Sequence, residues 1–381
     1  MHGTTGSVRR ARTRSWAAAL ACLVALTTGG TATAQMAQPA AASTKAPVLP
    51  NDPMDPIADA TGANAGPLSG ALIVTRDLDN LRRIYVDGVG LTLEGPLPTS
   101  RATSDAQRRL WQMPPGLSWQ TWRLTRPATP DAIRVLILVP DADTPVMRRS
   151  YEREETGPYA LGFAMRDVRA VDGRITALGF RRTLPAVNEY PLQLRDGSEY
   201  PVIEASYEIA DATRIVLMQR GGGLKPIGSI DAATGLGGPS YSSLIVEDAA
   251  AMQRFFTTVL DYEARTNREW TVFSPRFRYI TLHAKGARTG NLGLVEYAQA
   301  DRKPSTGIAP RPPNRGLAGW SFPVRSLDEV LERADAQRVT RVAGPMTIDD
   351  PRFGPVRIAT VLAPNGLLIE LFERRSPRQR D

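Results

Sequence analysis

One pattern of strand, helix and three further strands recurs four times in this chain of 381 residues, with starts near 68, 159, 240 and 318. A repeat of this size constrains the fold more than any other feature. The third copy is the clearest. Residues 240–246 read as a strand, and Asp248 caps a helix that carries Met252, Phe255, Phe256 and Val259 at helical spacing. Three strands follow near 264–273, 277–284 and 291–298. In the fourth copy residues 319–324 form the strand, and Ser326 with Glu329 makes a capping box for a helix over 327–335. Its strands lie near 339–343, 355–363 and 367–373. The first two copies are looser. Residues 70–77 run from strand into cap, and Leu81, Ile84 and Tyr85 mark a helix stopped by Gly88 and Gly90. A polar stretch over 99–109 reads as a connector. Strands are expected at 119–124, 133–139, 159–165, 192–194, 203–209 and 213–218, with a helix over 167–178.

Each such module covers one sheet face with its helix and leaves the other bare, so two modules facing each other make a cleft. The expected fold is therefore α+β, four βαβββ modules paired into two domains. Sequential pairing gives an N-terminal domain at 67–218 and a C-terminal domain at 240–373. Residues 219–239, with Gly221-Gly222-Gly223 and Gly237-Gly238-Pro239, read as the linker between them.

The beginning of the chain reads as a leader. Arg9, Arg10, Arg12 and Arg14 precede an apolar run over 16–26, and Ala32-Thr33-Ala34 is a small-residue cleavage site. That is a secretory signal over 1–34, too short to span a bilayer. Arg9-Arg10 leaves the export route open between the general and twin-arginine systems. Cys22 lies inside the apolar run, which argues against a lipid anchor. The expected location is periplasmic or secreted, with no transmembrane segment. Cleavage removes Cys22, His2, four arginines and no acids, so the net charge falls from +8 to +4. The mature chain has no thiol and one histidine, His283. Disulfides and cysteine chemistry are excluded. Basic residues are dispersed, which speaks against a nucleic-acid partner. Residues 35–66 read as a disordered leader and 374–381 as a solvated basic tail. No Walker loop, G-x-G-x-x-G, G-x-S-x-G or H-E-x-x-H motif is present.

Two carboxylates interrupt apolar strands: Glu296 in 291–297 and Glu370 in 365–373. A charge placed there costs several kcal/mol unless it is paired, hydrogen-bonded or ligating.

The segments Leu-Ile-Val-Glu-Asp at 244–248 and Phe-Pro-Val-Arg-Ser-Leu at 322–327 resemble first strands of the vicinal oxygen chelate superfamily. That superfamily includes glyoxalase I, bleomycin resistance proteins and extradiol dioxygenases. Residues 363–371, Ala-Pro-Asn-Gly-Leu-Leu-Ile-Glu-Leu, resemble its closing strand. The resemblance implies two modules per site and often a divalent metal at the cleft centre. Its ligands stand near the start of each first strand and in each last strand. Carried over, the first-strand positions fall on Gly70, Ala160, Tyr241 and Gly319, and the last-strand positions on Leu136, Val216, Glu296 and Glu370. The usual histidine is absent from all four modules. The N-terminal pair keeps no ligand and is left with a packing or dimer-forming role; a homodimer stays open.

Three chemistries remain for the C-terminal cleft. A metal could use only Glu296, Glu370 and Tyr241, a set short of the imidazoles that zinc and non-heme iron favour, though a hard ion accepts oxygens alone. An acid–base site would use Glu296, Glu370 and His283. His283 shares a strand face with Tyr279 and Thr281, against the plainer reading of a surface histidine at a strand end beside Lys285. The third possibility, similar to bleomycin resistance proteins, is ligand binding by Tyr241, Ser243, Tyr279, Glu296, Glu370 and Phe372. Strand parity places Tyr297 and Trp320 beneath helices. The leading expectation is an exported small-molecule-binding protein without a cofactor. The alternative is a metal-dependent lyase or dioxygenase with a reduced, glutamate-based site.

Overall fold

A computed structural model describes residues 63–193, 198–271 and 275–374. The signal segment with Cys22, the leader up to residue 62 and the tail after Arg374 lie outside the described residues.

The first module comprises β1 (Gly70–Val74), α1 (Leu78–Arg82) continuing into a π-type turn (Arg83–Gly88), β2 (Thr92–Glu94), α2 (Arg101–Leu110), β3 (Trp119–Thr125) and β4 (Arg134–Pro140). The second comprises β5 (Gly157–Met165), α3 (Val168–Ala177), β6 (Asn188–Gln193), β7 (Glu199–Glu208) and β8 (Arg214–Arg220). The third comprises β9 (Leu236–Ile245), α4 (Ala249–Val259), β10 (Glu263–Trp270), β11 (Phe277–His283) and β12 (Asn291–Tyr297). The fourth comprises β13 (Gly316–Pro323), α5 (Leu327–Ala336), β14 (Arg341–Asp350), β15 (Gly354–Leu362) and β16 (Leu368–Arg374). Each module starts its helix the same way. Asp77, Asp167, Asp248 and Ser326 each accept a hydrogen bond from the backbone N–H three residues on, which satisfies an otherwise orphaned donor.

The modules do not pair in chain order. One eight-stranded sheet runs β14-β15-β16-β13-β1-β4-β3-β2, and the other runs β10-β11-β12-β9-β5-β8-β7-β6. The first module therefore joins the fourth through antiparallel β1 and β13, and the second joins the third through β5 and β9. This corrects the division into domains at 67–218 and 240–373. It also corrects the role of 219–239: β8 and β9 enter that stretch from both sides, so it connects two modules of one sheet. Each half of the chain gives one module to each sheet, the arrangement that exchange of modules between two protomers would produce. The exposed edges of the first strands are chemically alike, so sequence does not specify which edge meets which.

The helix-covered faces share one continuous core. Phe256 of α4 meets Phe322 of β13 and Tyr262 with ring centroids 5.8 Å apart in both cases, and Tyr85 meets Phe163 at 6.1 Å. Truncating Phe256 or Phe322 to Ala would cost about 3–5 kcal/mol. The other faces of the two sheets differ. On the sheet of modules one and four, α2 and Trp111 fill the concave side, with Ala106 and Leu110 against Leu72, Leu136, Leu368 and Phe372. The stretch read as a polar connector is thus a plug. Its buried positions Thr103, Ala106, Gln107 and Leu110 keep helical spacing, but two of the four are polar, which hides the stripe. The concave side of the second sheet is open.

Candidate functional site

Glu370 lies in the filled sheet. Its Oε1 accepts from Trp111 Nε1 at 2.7 Å, and its Oε2 accepts from Arg352 Nη2 at 2.9 Å and from the Ser321 hydroxyl. Arg352 also donates to Asp350 at 2.9 and 3.1 Å. All three charged side chains are buried. Burial opposes the Arg352 charge, but the two carboxylates outweigh it and raise its pKa. A guanidinium thus neutralises the carboxylate from within the chain. Phe372 stacks on Phe353 at 4.0 Å in the same core. Neither Glu370 nor Phe372 lines an open concave face, and modules three and four do not pair into one sheet, because they belong to different sheets.

Glu296 points the other way from expectation. Its Oε1 accepts from the Ala249 N–H, at the start of α4, at 3.1 Å, and Arg278 lies 3.6 Å away. The same device recurs in two more modules. Gln219 accepts from the Val168 N–H at 2.9 Å, and Glu373 accepts from the Leu327 N–H at 3.0 Å. In each case the acceptor is the sixth residue of the module's last strand and the donor is the first residue of its helix. The structural equivalent of Glu296 is therefore Glu373. The equivalent of Glu370 is Gly293, third in β12, paired with Ser243 as Glu370 is paired with Ser321. Matching the two glutamates slips the comparison by three residues, and an odd slip turns every side chain to the opposite face. Tyr297 accordingly faces the concave side, 5.3 Å from Phe277, whereas Trp320 packs in the helix-side core as expected.

The concave side of the sheet of modules two and three encloses a cavity of about 190 Å³. Tyr241, Ser243, Tyr279 and His283 all line it, and Glu296, Glu370 and Phe372 do not. One wall is aromatic: Trp270 stacks on Phe277 at 6.3 Å, and Tyr190 and Tyr279 meet Trp270 edge-on at 6.1 and 5.5 Å. Another wall is a polar row across three neighbouring strands. Asn291 of β12 pairs with Tyr241 of β9. On the other side of β12 the ladder places His283 of β11 next to Asn291, one step beyond the Leu282–Leu292 pair. His283, Asn291 and Tyr241 are 2%, 5% and 6% exposed. The Tyr241 hydroxyl, both His283 nitrogens, Asn291 Oδ1 and Trp270 Nε1 are buried without a hydrogen-bond partner. His283 is thus an interior residue and not a surface one at a strand end. Burial, with Arg265 and Arg220 nearby, pushes its pKa down to about 3.

Sequence reasoning missed several cavity residues: Glu204, Asn291, Trp270, Arg220 and Arg265. The Glu204 carboxylate accepts from the Tyr190 hydroxyl at 2.8 Å. Burial raises its pKa, against that hydrogen bond and Arg153, which lower it. The signal was present in the alternation of β7, where Val202, Glu204 and Ser206 share a face. Glu204 stands in the third strand of its module and not in the last, so its position does not match the carried-over ones.

Glyoxalase I from Zea mays aligns with this chain at a TM-score of 0.50 and 15% identity, over 81% of this chain and 92% of that one. A putative dioxygenase from Bacillus subtilis aligns at 0.52 and 9%, over 83% and 87%. The fold is glyoxalase-like, the paired βαβββ arrangement of these structures. At such identities the likeness concerns the fold alone. No protein-family model and no curated protein matches the chain. In this fold the open sheet carries Ala160, Val216 and Tyr241 at three of the carried-over positions, and these pack together as one small cluster. The fourth, carried over as Glu296, is Gly293 by the register of the strands. Among the described residues, no group of three or more His, Cys, Asp and Glu could hold a metal ion.

Proposed function

We propose that this chain is an exported small-molecule-binding protein whose ligand occupies the concave cavity of modules two and three and is held without a metal. The observation that carries the reading is the set of buried, unpartnered polar atoms on Tyr241, His283, Asn291 and Trp270 around that cavity. A buried donor or acceptor left unmade costs about 1–3 kcal/mol, and here several such atoms converge on one cavity, where a bound molecule can supply their partners. Export rests on the leader sequence described above.

The donor set argues against a metal-dependent lyase or dioxygenase. Ala160, Val216 and Gly293 bring no side-chain donor, and burial pushes the Tyr241 phenol well above its ordinary pKa. Glu204 is raised and engaged by Tyr190, and His283 stands beside two arginines. Hard and borderline ions need several deprotonated ligands together, and these residues do not fit one.

The test is saturation-transfer NMR on the purified mature protein with a library of single-ring compounds, before and after chelator treatment. Binding that survives the chelator and is displaced from the cavity by Asn291→Leu supports the reading. A stoichiometric metal whose removal abolishes binding or an activity contradicts it.

A further inference from the structure

We propose that the occupant is a small aromatic carboxylate with one ring, its acid group against His283, Asn291 and Tyr241 and its ring among Trp270, Phe277 and Tyr279. This rests on the small-molecule reading above and names the ligand class for the same cavity.

The cavity has two chemically distinct ends, and one strand carries both. On β11 the cavity-facing residues run Phe277, Tyr279, Thr281, His283. Four residues of strand separate Tyr279 from His283, about 13 Å along the backbone. The volume of about 190 Å³ is near the ~150 Å³ that accommodates a single benzene ring and below the range typical of larger drug-sized ligands.

The aromatic end offers ring faces and edges, the geometry that another ring completes. The polar end offers donors on two residues: a neutral imidazole has one N–H and the Tyr241 hydroxyl one O–H, while the unpartnered atom of Asn291 is its amide oxygen, an acceptor. The positive charge of Arg220 and Arg265 reaches this end, since both oppose protonation of His283. A cationic group would be repelled there, and an anionic oxygen gains from the field and from the donors together. Among the described lining residues the one carboxylate is Glu204, which is bonded to Tyr190 and has its pKa raised by burial. Tyr241 is held in place for this role: its ring lies over Gly162, where a side chain would collide with it.

Isothermal titration of the mature protein with benzoate, benzamide and cyclohexanecarboxylate tests the assignment. Benzoate should bind, benzamide at least tenfold more weakly, and cyclohexanecarboxylate severalfold more weakly. Tyr241→Phe should weaken benzoate at least fivefold while its melting temperature stays equal or rises, because it removes an unpartnered buried hydroxyl; His283→Gln should weaken it likewise. Benzamide binding as tightly as benzoate overturns the acid assignment and leaves the cavity reading standing. Neutral rings binding where benzoate does not has the same meaning. Failure of every single-ring compound, charged or neutral, overturns both.

Discussion

The ring of Tyr241 lies across Gly162 on the neighbouring strand, so that a Cβ at Gly162 would stand 1.9 Å from Tyr241 Cζ. The absence of a side chain at one residue sets the position of the other. Gly162→Ala should therefore expel the Tyr241 ring, cost about 1–3 kcal/mol as an overpacked site, and abolish ligand binding. Tyr241→Ser relieves the collision. A double-mutant cycle by chemical denaturation should give a coupling above about 1 kcal/mol.

Arg352 answers two buried carboxylates at once. Arg352→Met leaves Asp350 and Glu370 uncompensated in the interior and should cost about 3–5 kcal/mol. Adding Asp350→Asn and Glu370→Gln should recover most of it, since a neutral core of similar shape no longer carries buried charge. Urea denaturation of wild type, the single variant and the triple variant reads this directly. Ligand binding in the other sheet should be unaffected wherever the variant is folded.

His283 should make stability depend on pH. Its folded pKa of about 3 lies below the ordinary 6.5, so between those values the unfolded chain binds a proton that the folded one does not. Stability due to this group is then fully present above pH 6.5 and falls as pH drops toward 3, with a slope of at most about 1.4 kcal/mol per unit. Glu204, raised by burial, works in the opposite sense above its unfolded value, so the His283 contribution is read as a difference. The gap in stability between wild type and His283→Gln should move in favour of the variant as pH falls from 6.5 to 4. A constant gap would contradict the buried, neutral assignment.

Glu296 serves the start of α4, whose first turn contains no acid of its own. Glu296→Gln keeps the acceptor and loses the charge, so it should cost about 0.3–1 kcal/mol and leave ligand affinity unchanged. A large loss of binding in this variant would return Glu296 to the site.

Much of the fold was legible because its signals are local. Four modules, their helix caps at Asp77, Asp248 and Ser326, and the parity of Tyr279, Thr281 and His283 all follow from short-range pattern, while Asp167, read as the first helical residue, is the cap of its helix. The partnering of modules was not legible, because β1, β5, β9 and β13 present similar edges and nothing in one strand names its neighbour. The site was misplaced for the same reason. Glu370 marks a last-strand position that in this chain is closed by Arg352 and Trp111, residues 18 and 259 positions away. Glu296 seemed its twin only through a slip of three residues. The open cavity is assembled from residues such as His283, Asn291 and Tyr241, whose importance lies in facing one another and in holding polar atoms without a partner. Neither property belongs to a single strand.

The central claim is that the open cavity of modules two and three, and not the sheet that holds Glu370, receives the ligand. Crystals of the mature protein soaked with single-ring fragments test it most directly. Ordered fragment density is expected between Trp270 and the row of His283, Asn291 and Tyr241, with hydrogen bonds to atoms that are otherwise unpartnered. Density beside Glu370, with α2 displaced and the cavity at Tyr241 empty, would contradict it.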